Sequence, residues 1–385
     1  MKRYRGSKVQ KVKEVVVLPL ELITQILLRL PVKSLVRFKS VCKSWLTLIS
    51  DPHFTKMHFE LAAAPAQRLM LISGRALAPK VLSLDMNASL NNYSAYVELK
   101  VSCAAFPSTF VRIGGSCRGF LLLDCFRHLC LWNPSTGIHK QVSYSRMATN
   151  GDILFSMFRG FGYDPLTDDY LVVQLLDRLG KPGNLAEVFS VRANKWKKVE
   201  AIDMMFMPTG SRFSQNMCGL LLNNCIHWLT YCIKLPMILS VIFAYDLTER
   251  RFLEIPLPVD FDDNKLHSRV LRELAGFLNL CATVEWNYSL EIWVMKEYKV
   301  QSSWTKTIVV SLDHLPTGLF FPICSTKNGD IIGNDGETGL TKCSKEGELK
   351  ENRPHCNVSF RHPLAVYKES LLSLPCHTQQ AVEDN

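Results

Sequence analysis

Residues 18–49 read LPLELITQILLRLPVKSLVRFKSVCKSWLTLI, and their apolar spacing predicts three short helices in succession. Leu22, Ile23, Ile26, Leu27 and Leu30 recur along one helical stripe. Pro31 stops that helix, since its ring disfavours helical geometry at Leu30. A second stripe carries Leu35, Phe38 and Cys42, a third Trp45, Leu48 and Ile49, and Asp51-Pro52 closes the run. Helices of about three turns or fewer are marginal alone, and a unit below about 40 residues needs outside help to stay folded. A partner protein could supply that help.

The same residues resemble the F-box family. Leu18-Pro19, Glu21, Ile26-Leu27, Leu30-Pro31, Leu35, Arg37-Phe38, Val41-Cys42-Lys43, Trp45 and Ile49 follow its pattern LP…E…IL..LP…L.RF..VC..W..LI nearly position for position. A plain three-helix cap on a following domain need not carry that whole pattern. The resemblance implies docking on the Skp-family adaptor of a cullin–RING ubiquitin ligase. It also implies that Leu18, Pro19, Ile26, Leu27, Leu30, Pro31, Leu35, Val41 and Trp45 contact the adaptor or pack the helices that do.

Charge is concentrated at the start of the chain. Lys and Arg number 45 against 35 Asp and Glu; residues 1–50 hold 11 of the former and 2 of the latter, leaving 34 against 33 beyond them. A nucleic-acid-binding domain needs a basic face, and the larger part of the chain has no surplus from which to build one. Lys2, Arg3, Arg5, Lys8, Lys11 and Lys13 read as a solvated tail over residues 1–14, in preference to a nuclear-localisation signal.

The longest apolar stretch, Met237 to Tyr245, is about half of what a membrane-spanning helix needs. The apolar run Val15–Leu20 is short and broken by Pro19, so it does not read as a signal peptide. Thirteen cysteines, an odd number without a Cys-x-x-Cys pair, suit a reduced cytoplasmic or nuclear protein whose thiols serve as small buried hydrophobes.

Beyond residue 66 the pattern turns to short strands separated by Asn, Asp, Gly and Pro turns. One phrase recurs, an aromatic-bearing strand, a polar turn and a second strand: LCLWNPSTGIHKQV (129–142), AEVFSVRANKWKKV (186–199), VIFAYDLTERRFLEI (241–255), LEIWVMKEYKVQSSWTKTI (290–308) and GLTKCSKEGELKE (339–351). Trp132, Val191, Asp246 and Met295 mark steps of 59, 55 and 49 residues, the period of kelch-type propeller blades. A second phrase precedes it in GSCRGFLLLD, FGYDPLTDDYLVV and CGLLLNNCIHWLT, and Asn328-Gly329 and Asp335-Gly336 signal tight turns near the end.

These phrases resemble, in family order, the F-box-associated domain of plant F-box proteins. The expected fold is α+β and multidomain: a three-helix F-box at 15–60, an all-β kelch-like propeller of unspecified blade number at 61–375, and disordered tails at 1–14 and 376–385. Ring closure is expected from an early strand such as Arg68–Ile72 pairing with a late one near Ala365–Leu374.

Several groupings imitate chemistry. Cys343, His355, Cys356 and His362 lack the paired spacing of a zinc site. Cys218, Cys225 and Cys232 recur every seven residues, which puts successive members on opposite faces of a strand. GGSCRG (114–119) fits neither a nucleophile elbow nor a phosphate loop and reads as a turn. GNDGETG (333–339) lacks alternating calcium ligands, the aspartates 164, 168 and 169 belong to a turn, and His227 reads as a satisfied core histidine. No catalytic residue, metal or cofactor is expected.

The expected role is a non-catalytic adaptor subunit of an Skp–cullin–F-box ubiquitin ligase, with the adaptor, cullin and RING subunits on one side and a protein substrate on the other. The alternatives are a non-degradative binding module and a copper propeller enzyme, which would need a His and Tyr site that the sequence does not assemble. Neither nucleic acid nor membrane is an expected partner. Long insertions at 147–155, 177–185, 203–215 and 259–267 are the expected recognition loops. Met204, Met205, Phe206 and Met207 are the candidate substrate-binding residues, because flexible thioethers suit an adaptable protein surface; the same run could equally plug a gap in the core.

Overall fold

A computed structural model describes residues 18–61, 67–73, 80–99, 111–125, 128–147, 153–178, 185–199, 205–208, 217–234, 237–261, 266–284, 288–313, 315, 318–336, 339–353 and 364–375. Side chains are described for these except 73, 153–157, 177–178, 205–208, 233–234, 237–238 and 266–267. The chain divides into two compact units between Ala63 and Ala64. Among the described residues no helix is long and apolar enough to cross a membrane.

The first unit has four helices, where the apolar stripes predict three: α1 (Leu20–Leu27), α2 (Val32–Phe38), α3 (Lys43–Ser50) and α4 (Pro52–Leu61). Prolines set the first two, Pro19 and Pro31 each standing at an N-cap. The fourth helix corrects the reading of Asp51-Pro52 as a stop. Asp51 caps α4 instead, its Oδ1 accepting from the Phe54 N–H at 2.9 Å, and Pro52 occupies the first helical position, where no backbone donor is missed. Leu27, Leu28, Val32, Leu35, Ile49 and Phe54 form the buried centre. His58 of α4 ties it together through Nε2, 2.8 Å from the Leu30 carbonyl.

The second unit is a six-bladed propeller of antiparallel sheets. Blade 1 contains β1 (Gln67–Ser73), β2 (Lys80–Asp85) and β3 (Tyr96–Leu99). Blade 2 has β4 (Arg112–Cys117), β5 (Phe120–Asp124), β6 (Leu129–Trp132) and β7 (His139–Val142). Blade 3 has β8 (Ile153–Asp164), β9 (Asp169–Arg178), β10 (Leu185–Ser190) and β11 (Lys195–Lys198). In blade 4, β12 (Met205–Pro208) and β13 (Leu220–Leu222) both pair with β14 (Cys225–Lys234), followed by β15 (Met237–Asp246) and β16 (Arg251–Ile255). Blade 5 is β17 (Leu266–Leu274), β18 (Phe277–Val284), β19 (Ser289–Met295) and β20 (Trp304–Ser311). Blade 6 is β21 (Phe321–Ser325), β22 (Ile331–Asn334), β23 (Leu340–Cys343) and β24 (Leu349–Arg353).

The last strand, β25 (Leu364–Lys368), returns to blade 1 and pairs with β1, Met70 opposite Ala365, so the expected closure is present. The inner strands β25, β4, β8, β13, β17 and β21 adjoin one another in a complete ring.

Each blade-to-blade seam is filled from both sides. Leu171 and Val173 of blade 3 meet Ile226 and Trp228 of blade 4, and Met70 and Val81 of blade 1 meet Leu121 and Trp132 of blade 2. Cys225 belongs to the cluster between blades 4 and 5 and Cys232 to that between blades 3 and 4, as their odd spacing on one strand requires.

The recurring phrases are hairpins: the five quoted above are β6–β7, β10–β11, β15–β16, β19–β20 and β23–β24. They and the hairpins joining first to second strands share one end of the ring, the turn end. Second and third strands are joined at the other, the loop end. Gly329 and Gly336 take positive φ in the turns expected of them. Gly114-Gly115 corrects another expectation. The pair lies within β4, and only Arg118-Gly119 form the turn. The absence of side chains there lets β4 approach Leu122 and Phe161.

Candidate partner-binding surfaces

The nine F-box positions divide by exposure. Leu18 (50%), Ile26 (52%) and Val41 (60%) are exposed, as are Pro19 and Pro31; Leu30 and Trp45 are half-buried, and Leu27 and Leu35 are buried. Leu27 and Leu35 therefore hold the helices, and the exposed group is available to a partner. Trp45 packs against Phe38 with ring centres 5.3 Å apart and the rings tilted by 57°.

Leu20 and Leu46, which the apolar stripes leave out, are also exposed, and so is Leu22, which they include. The signal was present in α1, where leucines at 20 and 22 stand beside the buried Leu27; a helix apolar on more than one side has a second face to cover. Residues 18–61 supply eight of the nineteen exposed large hydrophobic side chains among the described residues. Such a density on so small a unit marks an interaction surface.

In the propeller, Met205, Phe206 and Met207 belong to β12, a strand paired with Ile233, Cys232 and Tyr231, whereas the sequence places them in a long loop. Met204 lies outside the described residues. The insertion at 147–155 likewise ends inside β8, and that at 259–267 inside β17.

The remaining candidates are structural. His227 is buried, its Nδ1–H donating to the Leu220 carbonyl at 3.0 Å while Nε2 accepts from the Tyr298 hydroxyl at 2.7 Å. Burial lowers its pKa to about 4. Asp164 accepts from the Leu166 N–H and pairs with Arg250 at 2.5 Å, and the Asp335 carboxylate accepts from the Gly339 N–H. Burial pushes the thiols of Cys117, Cys281 and Cys324 up to about 12. Among the described residues no group of three His, Cys, Asp or Glu could hold a metal; His355, Cys356 and His362 lie outside them.

With both units laid out, family comparison agrees with them. Residues 17–57 match the F-box domain and residues 76–357 the F-box associated beta propeller domain. An F-box/kelch-repeat protein of Arabidopsis thaliana is 29% identical over 299 residues, covering 76% of this chain and 79% of that one. The F-box protein CPR1 of the same plant is 29% identical over 308 residues, covering 76% and 73%. The chain belongs to the plant F-box proteins that carry a C-terminal F-box-associated propeller. Proteins with this pair of domains generally act as substrate receptors of Skp–cullin–F-box ligases and as non-catalytic adaptors.

Proposed function

We propose that this chain is a substrate-recognition subunit of an Skp–cullin–F-box ubiquitin ligase and catalyses no reaction itself. Residues 15–60 serve as the adaptor-binding part and 61–375 as the receptor part, acting in the cytoplasm, the nucleus or both. The observation that carries this reading is the exposure of Leu18, Pro19, Ile26 and Val41 on helices held together by Leu27 and Leu35. Covering those apolar side chains stabilises a complex by about 25 cal/mol per Å² of surface removed from water. A Skp-family adaptor is the partner that the family implies, and it brings the cullin and RING subunits.

The propeller holds a protein substrate so that its lysines meet a charged ubiquitin carrier at high effective concentration. Met204–Met207 stand on the receptor part as candidate substrate-binding residues. The test is co-purification with the adaptor. Leu18→Ala combined with Pro19→Ala should remove the adaptor, and the cullin with it, while the propeller melts unchanged; undiminished adaptor recovery overturns the proposal.

A further inference from the structure

The near balance of charge beyond residue 50 conceals one local excess. Residues 128–147 and 185–199, the outer hairpins of blades 2 and 3 with the chain after β7, hold six Lys and Arg against one acid, Glu187. The matching outer hairpins of the other four blades, 80–99, 237–261, 288–311 and 340–353, hold ten against eleven. Glu187 does not offset the excess at the surface. It is buried, and accepts from the Ser145 hydroxyl and, at 2.9 Å, from the Gln174 amide.

The two hairpins are bonded to each other. Lys140 Nζ of β7 donates to the Val191 carbonyl at 3.1 Å, and the Trp196 indole of β11 donates to the Ser143 carbonyl at 2.9 Å. Arg192 is engaged with Asp168 at 2.6 Å. Lys195, Lys197 and Lys198 of β11 are exposed, and among the described residues no acid pairs with them. β11 is also the outer strand of its sheet, with no strand beyond it among the described residues. The Val199 N–H donates inward to the Ala186 carbonyl at 2.9 Å. By alternation, Trp196 and Lys198 turn their backbone N–H and C=O groups away from β10, towards the open side.

We propose that this edge of blade 3 captures an acidic, extended segment of the substrate protein. The segment's backbone adds to the sheet beside β11, and its carboxylates meet Lys195, Lys197 and Lys198. The claim rests on the receptor reading above. Open backbone groups on a strand edge accept an extended chain whatever its sequence. Lysines on that edge penalise apolar strands, which would desolvate them, and basic strands, which they repel; a strand bearing carboxylates escapes both costs. The lysines therefore select the occupant by charge. A nucleic acid offers the same sign of charge but no backbone that can extend a sheet.

The full-length chain is titrated with a fluorescent octapeptide alternating Glu and Val, its Lys and Val counterpart, and a single-stranded oligonucleotide. Two variants of equal charge are compared with wild type: Lys195→Glu/Lys197→Glu/Lys198→Glu and, as control, Lys306→Glu/Lys345→Glu/Lys350→Glu at exposed positions of blades 5 and 6. If the blade 3 variant melts lower than the control, Gln replaces Glu at its three positions. The expected result is acidic-peptide binding that weakens with salt, falls at least tenfold in the blade 3 variant and survives in the control, with slowed amide exchange at Trp196 and Lys198. No binding of that peptide by wild type, an equal loss in the control, or binding without amide protection overturns the proposal. Binding of the oligonucleotide in place of the peptide overturns it too. In proteasome-inhibited cells, chain-dependent ubiquitination should fall at least tenfold in the blade 3 variant at unchanged adaptor recovery; wild-type levels there overturn the edge and leave the receptor reading standing. If wild type and Leu18→Ala/Pro19→Ala do not differ in those cells, the receptor reading fails, while the peptide titration still decides the edge.

Discussion

Asn133 and Ser370, 237 positions apart, are joined by a hydrogen bond from the Asn133 side-chain amide to the Ser370 carbonyl at 3.1 Å. The same amide also reaches the Leu372 carbonyl at 3.2 Å, and the Ser135 hydroxyl accepts from the Ser370 N–H. The chain after β25 is thereby strapped to the β6–β7 turn of blade 2, with Ser370, Leu371 and Leu372 buried. Gly119 makes room for the strap: it has φ +86, and a Cβ there would overlap Ser370 and stand 2.9 Å from the Lys368 carbonyl. Asn133→Ala should cost about 2–6 kcal/mol, since two buried carbonyls lose their donor at about 1–3 kcal/mol each when nothing replaces it. Denaturant unfolding checks this, and an unchanged midpoint would show the strap to be energetically idle.

Ring closure by β25 makes a sharper demand. Leu69, Met70 and Leu71 of β1 are buried beside it. Ending the chain at Arg361 removes the whole partner strand and leaves β1 as an unpaired apolar edge, the kind of edge that recruits other chains. That truncation should be insoluble, and ending at Lys368, which spares β25 and removes only the strap, should remain soluble with a lowered melting temperature. A soluble, cooperatively melting Arg361 truncation would argue against closure as the organising contact.

The seam between blades 3 and 4 depends on two missing side chains. At Gly160 or Gly219 a Cβ would overlap Ile226 and stand 2.9 Å from the Trp228 ring. The close approach is also bonded: the Arg159 carbonyl accepts from the Gly219 N–H at 2.6 Å and from the Trp228 indole at 3.1 Å. Gly160→Ala should therefore destabilise by about 1–3 kcal/mol, the range for overpacking a tight core. Adding Ile226→Ala should cost less than the two single changes summed, because the second removes what the first strikes. Simple additivity in thermal melts would place the strain elsewhere.

What the sequence makes legible here is local. Turn residues and strand alternation sit within a dozen positions of one another, so the hairpins β6–β7, β10–β11, β15–β16, β19–β20 and β23–β24 stand out as repeats. The third helix boundary was misread because Asp-Pro both ends one helix and starts the next. Blade 4 escapes for a different reason. Its inner edge is split between β12 and β13, which meet the same strand, β14, from separate stretches of chain. Nothing local in Met205–Pro208 announces a partner some 25 residues on. At the F-box, the motif picks out the residues that matter but not their division into buried Leu27 and Leu35 and exposed Leu18, Ile26 and Val41.

His227 gives the propeller a dependence on acid. Burial is the main reason its pKa falls to about 4 from 6.5; the Lys299 charge adds to the effect, and the hydrogen bond to the Leu220 carbonyl opposes it. Tyr298, whose own pKa burial raises, donates to Nε2, so a proton there would also break a bond. Because the folded value lies below the unfolded one, the unfolded chain takes up its proton first. Stability is then complete above about pH 6.5 and declines as the pH falls towards about 4, by up to about 3 kcal/mol at 1.36 kcal/mol per unit. Against the cost of burial, the N–H groups of Glu249 and Thr248 lower the pKa of Asp246, and the Ser89 hydroxyl and Leu90 N–H lower that of Glu351, so both carboxylates add their own loss of stability at the acid end of this range, in the same direction as His227. His227→Gln, which keeps polar atoms but cannot charge, should flatten the melting temperature between pH 6.5 and 4.5 while lowering it somewhat at pH 7. Equal slopes for wild type and variant across that interval would assign the acid sensitivity to another group.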